Sequence, residues 1–390
     1  MQLPSVILKR GRERSVINRH PWVFSGAVSH VSGDVQPGDI VDVRAHDGAW
    51  LGRGAVNPHS DVFVRLMTWD ESQAVDEAFV QERLAATIAR RGGQQTCRLV
   101  YLEADGLPGL IVDRYGDVVI VQILTPAMER WRDVVVNALV ECVQPRSLYE
   151  RSDTDVRQRE GLSLRTGVLW GAEPPELIQV VAEGTAFLVD VRRGQKTGFF
   201  LDQRINHWQV AAYCAGKTVL NCFSYTGGFA IAALKRGAQK VINVDTSADA
   251  LALAARTAEL NGVADRMENV QADVFQFLRQ CRDDGAQFDV IILDPPKFAH
   301  SKAALDRACR GYKDINWLAM RLLKPAGILV TFSCSGLVTP ALFQSVVAGA
   351  AVDAQRTGRI IAKLSQPPDH PILLTFPESE YLKGLVCAVE

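Results

Sequence analysis

From about Gly198 onward, short apolar runs alternate with longer stretches of helical period. Thr218–Phe223, Lys240–Val244, Glu268–Ala272, Phe288–Leu293 and Gly327–Phe332 read as strands. The intervals read as helices, for example Ser247–Asn261 closed by Gly262. Strands alternating with helices predict a parallel, doubly wound sheet. The tail breaks this rhythm. Arg359–Ser365 and Lys383–Val389 are strands joined by a proline-rich loop, which predicts an antiparallel hairpin on the sheet edge.

The first half has another texture. WVFSGAV, DIVDVRAH, AWLGRGAV and DVFVRLMTW are strand-like runs separated by turn signals at Gly33-Asp34, Pro37-Gly38 and Asp47-Gly48. They predict a small β-barrel ending near Trp69, followed by a polar linker, Asp70–Asp76. A helix over Glu77–Arg91 comes next. Strands at Arg98–Glu103, Leu110–Asp113 and Val118–Leu124 follow it, then a helix over Ala127–Val143. Strands at Ser147–Arg151, Leu177–Ala182 and Thr185–Asp190 complete an α+β segment. Three domains are expected: 1–76, 77–190 and 191–390.

Composition narrows the function. The formal net charge is −1, so no global field draws in a polyanion and any such site must be local. One candidate patch is the first twenty residues, where Lys9, Arg10, Arg12, Arg14 and Arg19 face a single acid, Glu13. This run leads into the β-rich unit, where Arg53 and His59 read as exposed, and it is expected to bind RNA rather than to be a solvated arm. The eight cysteines form no CxxC pair and no zinc-type cluster, so no metal is expected. Scattered thiols, the lack of a signal-like segment and the lack of a spanning apolar run predict a cytoplasmic protein without a membrane partner.

In a doubly wound sheet, ligands bind at the carboxyl ends of the strands. The first strand leads into Phe223, Ser224, Tyr225, Thr226, Gly227 and Gly228. Neither the dinucleotide glycine pattern nor a Walker lysine is present, which suits a ligand without phosphates. Asp245 follows the second strand, with Ser247 beside it, and is placed to accept both ribose hydroxyls. Asp273 follows the third strand, where it reaches an adenine amino group. Either acid taken singly reads better as a solvated helix cap. Their recurrence, completed by Asp294 and Pro295 after the fourth strand, favours an adenosyl ligand carrying a sulfonium: S-adenosylmethionine.

Asp294-Pro295-Pro296 makes a rigid loop suited to a planar substrate. Cys334 leaves the fifth strand between Ser333 and Ser335 and should face the same crevice. A buried core thiol is the commoner fate of a cysteine. Here, however, a thiolate explains methylation of pyrimidine carbon 5, because attack at carbon 6 makes carbon 5 nucleophilic. Asp294 would then bond the cytosine ring nitrogen and amino group. The competing readings are an N-methyltransferase, which needs no thiol, and a non-catalytic RNA-binding assembly factor.

The parallel sheet with its antiparallel finish is that of class I methyltransferases. The stretches KRGRERSVINRHPWVFSGAV, EADGLPGLIVDRYGD, YERSD, GQKTGFFLDQR, NCFSYTGGFA, LDPPKFA, RGYKDIN and TFSCSG occur in this order. Together they resemble the RlmI-type family of cytosine-C5 methyltransferases of bacterial 23S rRNA. The resemblance implies an α/β class I Rossmann-like methyltransferase domain, an N-terminal PUA-like β-barrel and a central α+β domain. It also implies a homodimer and a nucleophile at Cys334. Related RNA cytosine-C5 enzymes carry a second cysteine after the fourth strand. Pro295-Pro296 occupies that place here, so removal of the carbon-5 proton falls to another group. Within GQKTGFFLDQR, Asp202 reads as a helix cap, while Lys196, Gln203 and Arg204 are candidates to close over donor or target. Lys297, Arg310, Tyr312 and Lys313 complete the candidate RNA contacts, the last three placed before or at the start of a helix.

Overall fold

The computed structural model describes residues 3–390. The chain forms two compact units. One comprises the residues up to Val180, Val189–Leu201 and Pro368–Ser379. The other comprises Val181–Leu188, Asp202–Pro367 and Glu380–Glu390.

The first unit contains two sheets. Six strands run in the order Trp22–Phe24, Val62–Thr68, Trp50–Val56, Ile40–Arg44, Ser5–Leu8, Val28–Ser32. The two end strands do not pair with each other among the described residues, so the sheet is a half-barrel rather than a closed one. Period-2 alternation places Val6, Leu8, Val41, Val43, Val64 and Leu66 in its core. The basic N-terminal stretch is part of this fold: Ser5–Leu8 is an inner strand and Arg14–Ile17 a short helix. Sequence reading missed both, because each is only four residues long.

The second sheet has the order Arg165–Gly171, Ser147–Ser152, Val118–Ile123, Leu110–Tyr115, Thr96–Tyr101. Helix Glu77–Arg90 is capped by Asp76, which accepts from Phe79 N, and buries Phe79, Val80 and Leu84 in that core. The expected single helix over Ala127–Val143 is two, Pro126–Arg130 and Arg132–Val143. They break at Trp131, where Arg132 bonds both Glu129 and Glu150. The edge strand Arg165–Gly171 and helix Asp155–Arg159 were not anticipated. The strand alternates half-exposed with exposed positions, so its apolar pattern is weak.

The second unit holds a seven-stranded sheet in the order Met267–Gln271, Lys240–Asp245, Thr218–Cys222, Phe288–Leu293, Leu323–Ser333, Lys383–Val389, Gly358–Ser365. The first five are parallel. Lys383–Val389 is antiparallel to both of its neighbours. The expected hairpin therefore does not simply extend the edge. Its second strand inserts beside Leu323–Ser333, and only Gly358–Ser365 lies at the edge. Strand order reverses between Thr218–Cys222 and Phe288–Leu293, which opens a crevice at their carboxyl ends.

Candidate active site at the carboxyl ends of the parallel sheet

Three asparagines, Asn221 and Asn243 buried and Asn269 half-buried, tie the first three strands together in register. Asn221 Nδ2 donates to Asn243 Oδ1 (2.9 Å), and Asn243 Nδ2 donates to Asn269 Oδ1 (3.0 Å). This ladder fixes the level at which the strands end. The loop after the first strand then turns through left-handed backbone at Phe223, Tyr225 and Gly227 (φ 59°, 47° and 77°). Two of these are non-glycine residues, and such conformations cost energy and cluster where a loop is shaped for a ligand.

Asp245 holds that loop. Its Oδ2 accepts from Tyr225 N (2.8 Å) and its Oδ1 from Ser247 N (2.9 Å). Two backbone amides orient the carboxylate, and each oxygen keeps a further lone pair for a hydroxyl donor. Ser247 caps helix Ala248–Leu260 through its Oγ. Asp273 caps helix Val274–Asp283, accepting from Gln276 N (3.0 Å), so the capping role weighed for it is realised at one oxygen. Thr226 is buried in the loop.

The glycines serve packing as well as the turn. A Cβ on Gly228 would lie 2.3 Å from the His207 ring, and one on Gly227 would lie 3.1 Å from Ala254 Cβ. At these two Cα atoms the room is taken by His207 and Ala254. His207 is buried against Phe229, and burial lowers its pKa to about 3, so the ring there is neutral.

Ser224 Oγ and Asn221 Oδ1 are buried without a hydrogen-bond partner among the described residues. A buried polar atom left unpaired is costly. The oriented Asp245 carboxylate keeps acceptor capacity of the kind that the hydroxyls of an adenosyl ligand would use. Among the described residues no group of three or more His, Cys, Asp or Glu side chains is arranged to hold a metal ion.

The opposite wall is built from the fourth and fifth strands. Asp294 N bonds Cys222 O (3.4 Å), and Pro295 is buried behind it. Cys334 is partly exposed, with Sγ 3.8 Å from Pro295 O, so the thiol and the Asp-Pro-Pro loop meet directly. Ser333 and Ser335 are fully buried and turn away from solvent. Ser333 Oγ donates to Tyr312 OH (3.0 Å), and Ser335 Oγ lies 3.3 Å from the same hydroxyl and accepts from Ala299 N. The two serines anchor the turn from below and leave Cys334 on the open side. Cys222, by contrast, is fully buried, and burial pushes its thiol far above the ordinary range. It is a packed strand-end residue.

Several expected contacts are placed differently. Tyr312 is a core residue whose ring packs against Phe298 at 4.7 Å. Arg310, Tyr312 and Lys313 lie within the helix Leu305–Leu322, not at its start. Arg310 is exposed, while Lys313 pairs with Asp353 at 2.7 Å. Gln203 and Arg204 are only 2% and 8% exposed. Gln203 accepts from Asn206 and Arg204 pairs with Glu183, so both are internal. Asp202 accepts from the Tyr381 hydroxyl (2.6 Å), and the helix Arg204–Ala211 has Gln203, not Asp202, at its N-cap. Lys196 is exposed and lies 4.3 Å over the Phe200 ring, and Lys297 is exposed beside Pro296. Arg53 is not exposed: its Nε bonds Asp42 (2.9 Å), and both side chains are nearly buried. Lys9, Arg10, Arg12, Arg14, Arg19 and His59 are exposed.

One residue escaped sequence reading. Lys383 opens the last strand opposite Ser333 and is buried. Its Nζ donates to Ser335 O (2.7 Å) and Val338 O (2.8 Å). The only signal in the sequence is a lysine at the start of an otherwise apolar strand.

Comparison with known proteins agrees with this architecture. Residues 162–383 match the S-adenosylmethionine-dependent methyltransferase family model, and residues 6–69 match a PUA-like domain. The chain is 46% identical over 393 residues to ribosomal RNA large subunit methyltransferase I of Klebsiella pneumoniae (strain 342), covering 99% of this chain and 98% of that protein. It is also 46% identical to the protein of that name in Salmonella agona (strain SL483), over 100% of this chain and 98% of the relative. Among solved structures, a Streptococcus mutans protein described as a candidate SAM-dependent methyltransferase superposes with a TM-score of 0.85 at 21% identity, each chain fully covered. Another described candidate methyltransferase, solved with S-adenosylhomocysteine, superposes at 0.86 and 22% identity, again with both chains fully covered. The chain belongs to the ribosomal RNA large subunit methyltransferase I family, S-adenosylmethionine-dependent methyltransferases with a PUA-like domain at the N-terminal end.

Proposed function

We propose that this protein methylates carbon 5 of a cytosine in 23S rRNA, with Cys334 as the nucleophile. The observation that carries the proposal is the meeting of a partly exposed thiol with the Asp294-Pro295 loop, 3.8 Å from Sγ to the Pro295 carbonyl, at the carboxyl ends of adjacent parallel strands. The names of the full-length relatives supply the rRNA substrate class. S-adenosylmethionine supplies an electrophilic methyl group when bound. Asp245, Ser224 and the Phe223–Gly228 turn would hold it, and Asp273 would accept from its adenine amino group.

The chain's own residues do the rest. The Cys334 thiolate adds to carbon 6, forming an S–C6 bond and raising electron density at carbon 5. Asp294, carrying a proton, donates it to the ring nitrogen as the thiolate adds, which neutralises the negative charge that develops on the ring, and accepts a hydrogen bond from the amino group. After carbon 5 gains its methyl group, the carbon-5 proton passes to water, the double bond re-forms with expulsion of the thiolate, and Asp294 takes back the proton from the ring nitrogen. The three-domain division expected from the sequence fits this role. Residues 1–76 contact RNA through Lys9, Arg10, Arg12 and Arg14. Residues 77–190 link them to the catalytic part, 191–390, where Lys297 and Arg310 are exposed cations for phosphate. A homodimer is part of the same proposal.

Cys334→Ala tests the reading. It is expected to abolish methyl transfer while leaving affinity for S-adenosylmethionine nearly unchanged, because the thiol acts on the base and not on the donor. Robust turnover by the variant would instead establish methylation without a thiol, as for an amino or ring nitrogen.

A further inference from the structure

Lys383 is a buried cation with no carboxylate partner among the described residues. It is 6% exposed, and its two hydrogen bonds go to the neutral carbonyls of Ser335 and Val338. Those carbonyls belong to one tight turn, closed by Val338 N to Ser335 O (3.0 Å), that begins immediately after Cys334. A buried ammonium without an anion is unfavourable, because burial removes the hydration of its charge. An ammonium has three N–H donors, so one remains after the two carbonyls. Cys334, the residue before that turn, is a neighbouring group able to become an anion.

We propose that Lys383 is a positioning residue for Cys334: its ammonium holds the turn after the thiol and stabilises the thiolate as an ion pair. Placement and electrostatics agree. The last strand sets Lys383 opposite Ser333, the residue before Cys334. Burial is the largest influence on Lys383 and lowers its pKa to about 8, while the field of Cys334 opposes that fall. The other charged groups acting on it are Glu380, on the loop leading into the strand, and Lys297, on the loop after the fourth parallel strand. The Tyr312 hydroxyl, which also feels Cys334, is kept neutral by burial. An amine of depressed pKa and a thiol within each other's field are coupled in titration. Cys334 S–H with the neutral amine becomes thiolate with ammonium, and no proton is gained or lost by the pair. A free thiol has a pKa of about 8.5 and is only a few per cent ionised at pH 7, and a neighbouring lysine lowers that value. Lys383 thus supplies the activation that the nucleophile needs.

The inference rests on Cys334 being the nucleophile, but its test reads the thiol and not turnover. In the full-length protein, the rate of Cys334 alkylation by iodoacetamide is followed from pH 5.5 to 10 by mass spectrometry of the Cys334 peptide. This separates it from Cys142 and Cys309, the other accessible thiols. In the wild type the apparent pKa is expected near or below about 7.5. Lys383→Met, which keeps an unbranched side chain and removes the charge, is expected to raise it by at least about one unit and to slow alkylation at pH 7 about tenfold. Superposed profiles would overturn the proposal. So would a wild-type pKa at or above about 8.5, a result that does not depend on the variant folding. Turnover by Cys334→Ala would remove the nucleophile reading itself and leaves the thiol titration as a separate result.

Discussion

At the scale of single residues, the donor site turns on Asp245. Its two oxygens are held by Tyr225 N and Ser247 N, so the carboxylate is oriented before any ligand arrives. A hydrogen bond to a charged group contributes about 1.5–3 kcal/mol. Asp245→Ala should therefore weaken S-adenosylmethionine binding by roughly tenfold to several hundredfold, measured by calorimetry. Unchanged affinity would remove Asp245 from the site. The placement of Asp245 and Cys334 at the carboxyl ends of strands was legible in the sequence, because the direction of those strands was already clear. Lys383 was not, because it reaches Cys334 only through the pairing of the last strand with the fifth. The burial of Gln203 and Arg204 was not legible for a related reason. A polar residue looks like a surface contact until its internal partners, here Asn206 and Glu183, are brought to it by the fold.

Elements were more legible than their surroundings. Phe288–Leu293 and Lys383–Val389 have the ends that the sequence predicts, since apolar runs in a buried sheet are bounded by polar turns. The break at Trp131 was not legible, because no proline or glycine marks it. The insertion of the final strand was not legible either, since strand order depends on contacts far apart in sequence. Caps offer a test at this scale. Asp273 accepts from Gln276 N at the start of Val274–Asp283. Asp273→Ala should lower stability by about 1 kcal/mol, read by urea unfolding. Asp273→Asn keeps the cap but removes the charge, so it should restore stability. If Asp273 also contacts the adenine amino group, Asp273→Ala weakens donor binding too, and calorimetry on the two variants separates the roles.

At the scale of the whole molecule, a nearly neutral chain carries a concentrated basic stretch on its PUA-like unit. Arg10, Arg12 and Arg14 are exposed around a short helix that the fold holds in place. Contacts to single-stranded phosphate release counterions with a slope of about −0.7 per contact. Replacing these three arginines with alanine should flatten the salt dependence of RNA affinity by roughly two units, without changing donor binding. Equal slopes would move RNA positioning to other cations, among them Lys297 and Arg310. The central claim is covalent catalysis by Cys334, and the most direct measurement uses 23S rRNA fragments carrying 5-fluorocytosine. Fluorine cannot leave as a proton does, so after methyl transfer the S–C6 bond should persist. The account predicts a denaturation-resistant protein–RNA adduct that requires S-adenosylmethionine, maps to the Cys334 peptide and is lost in Cys334→Ala. Methylation of the unmodified RNA without any adduct on the fluorinated one, or an adduct mapped to another cysteine, would contradict it.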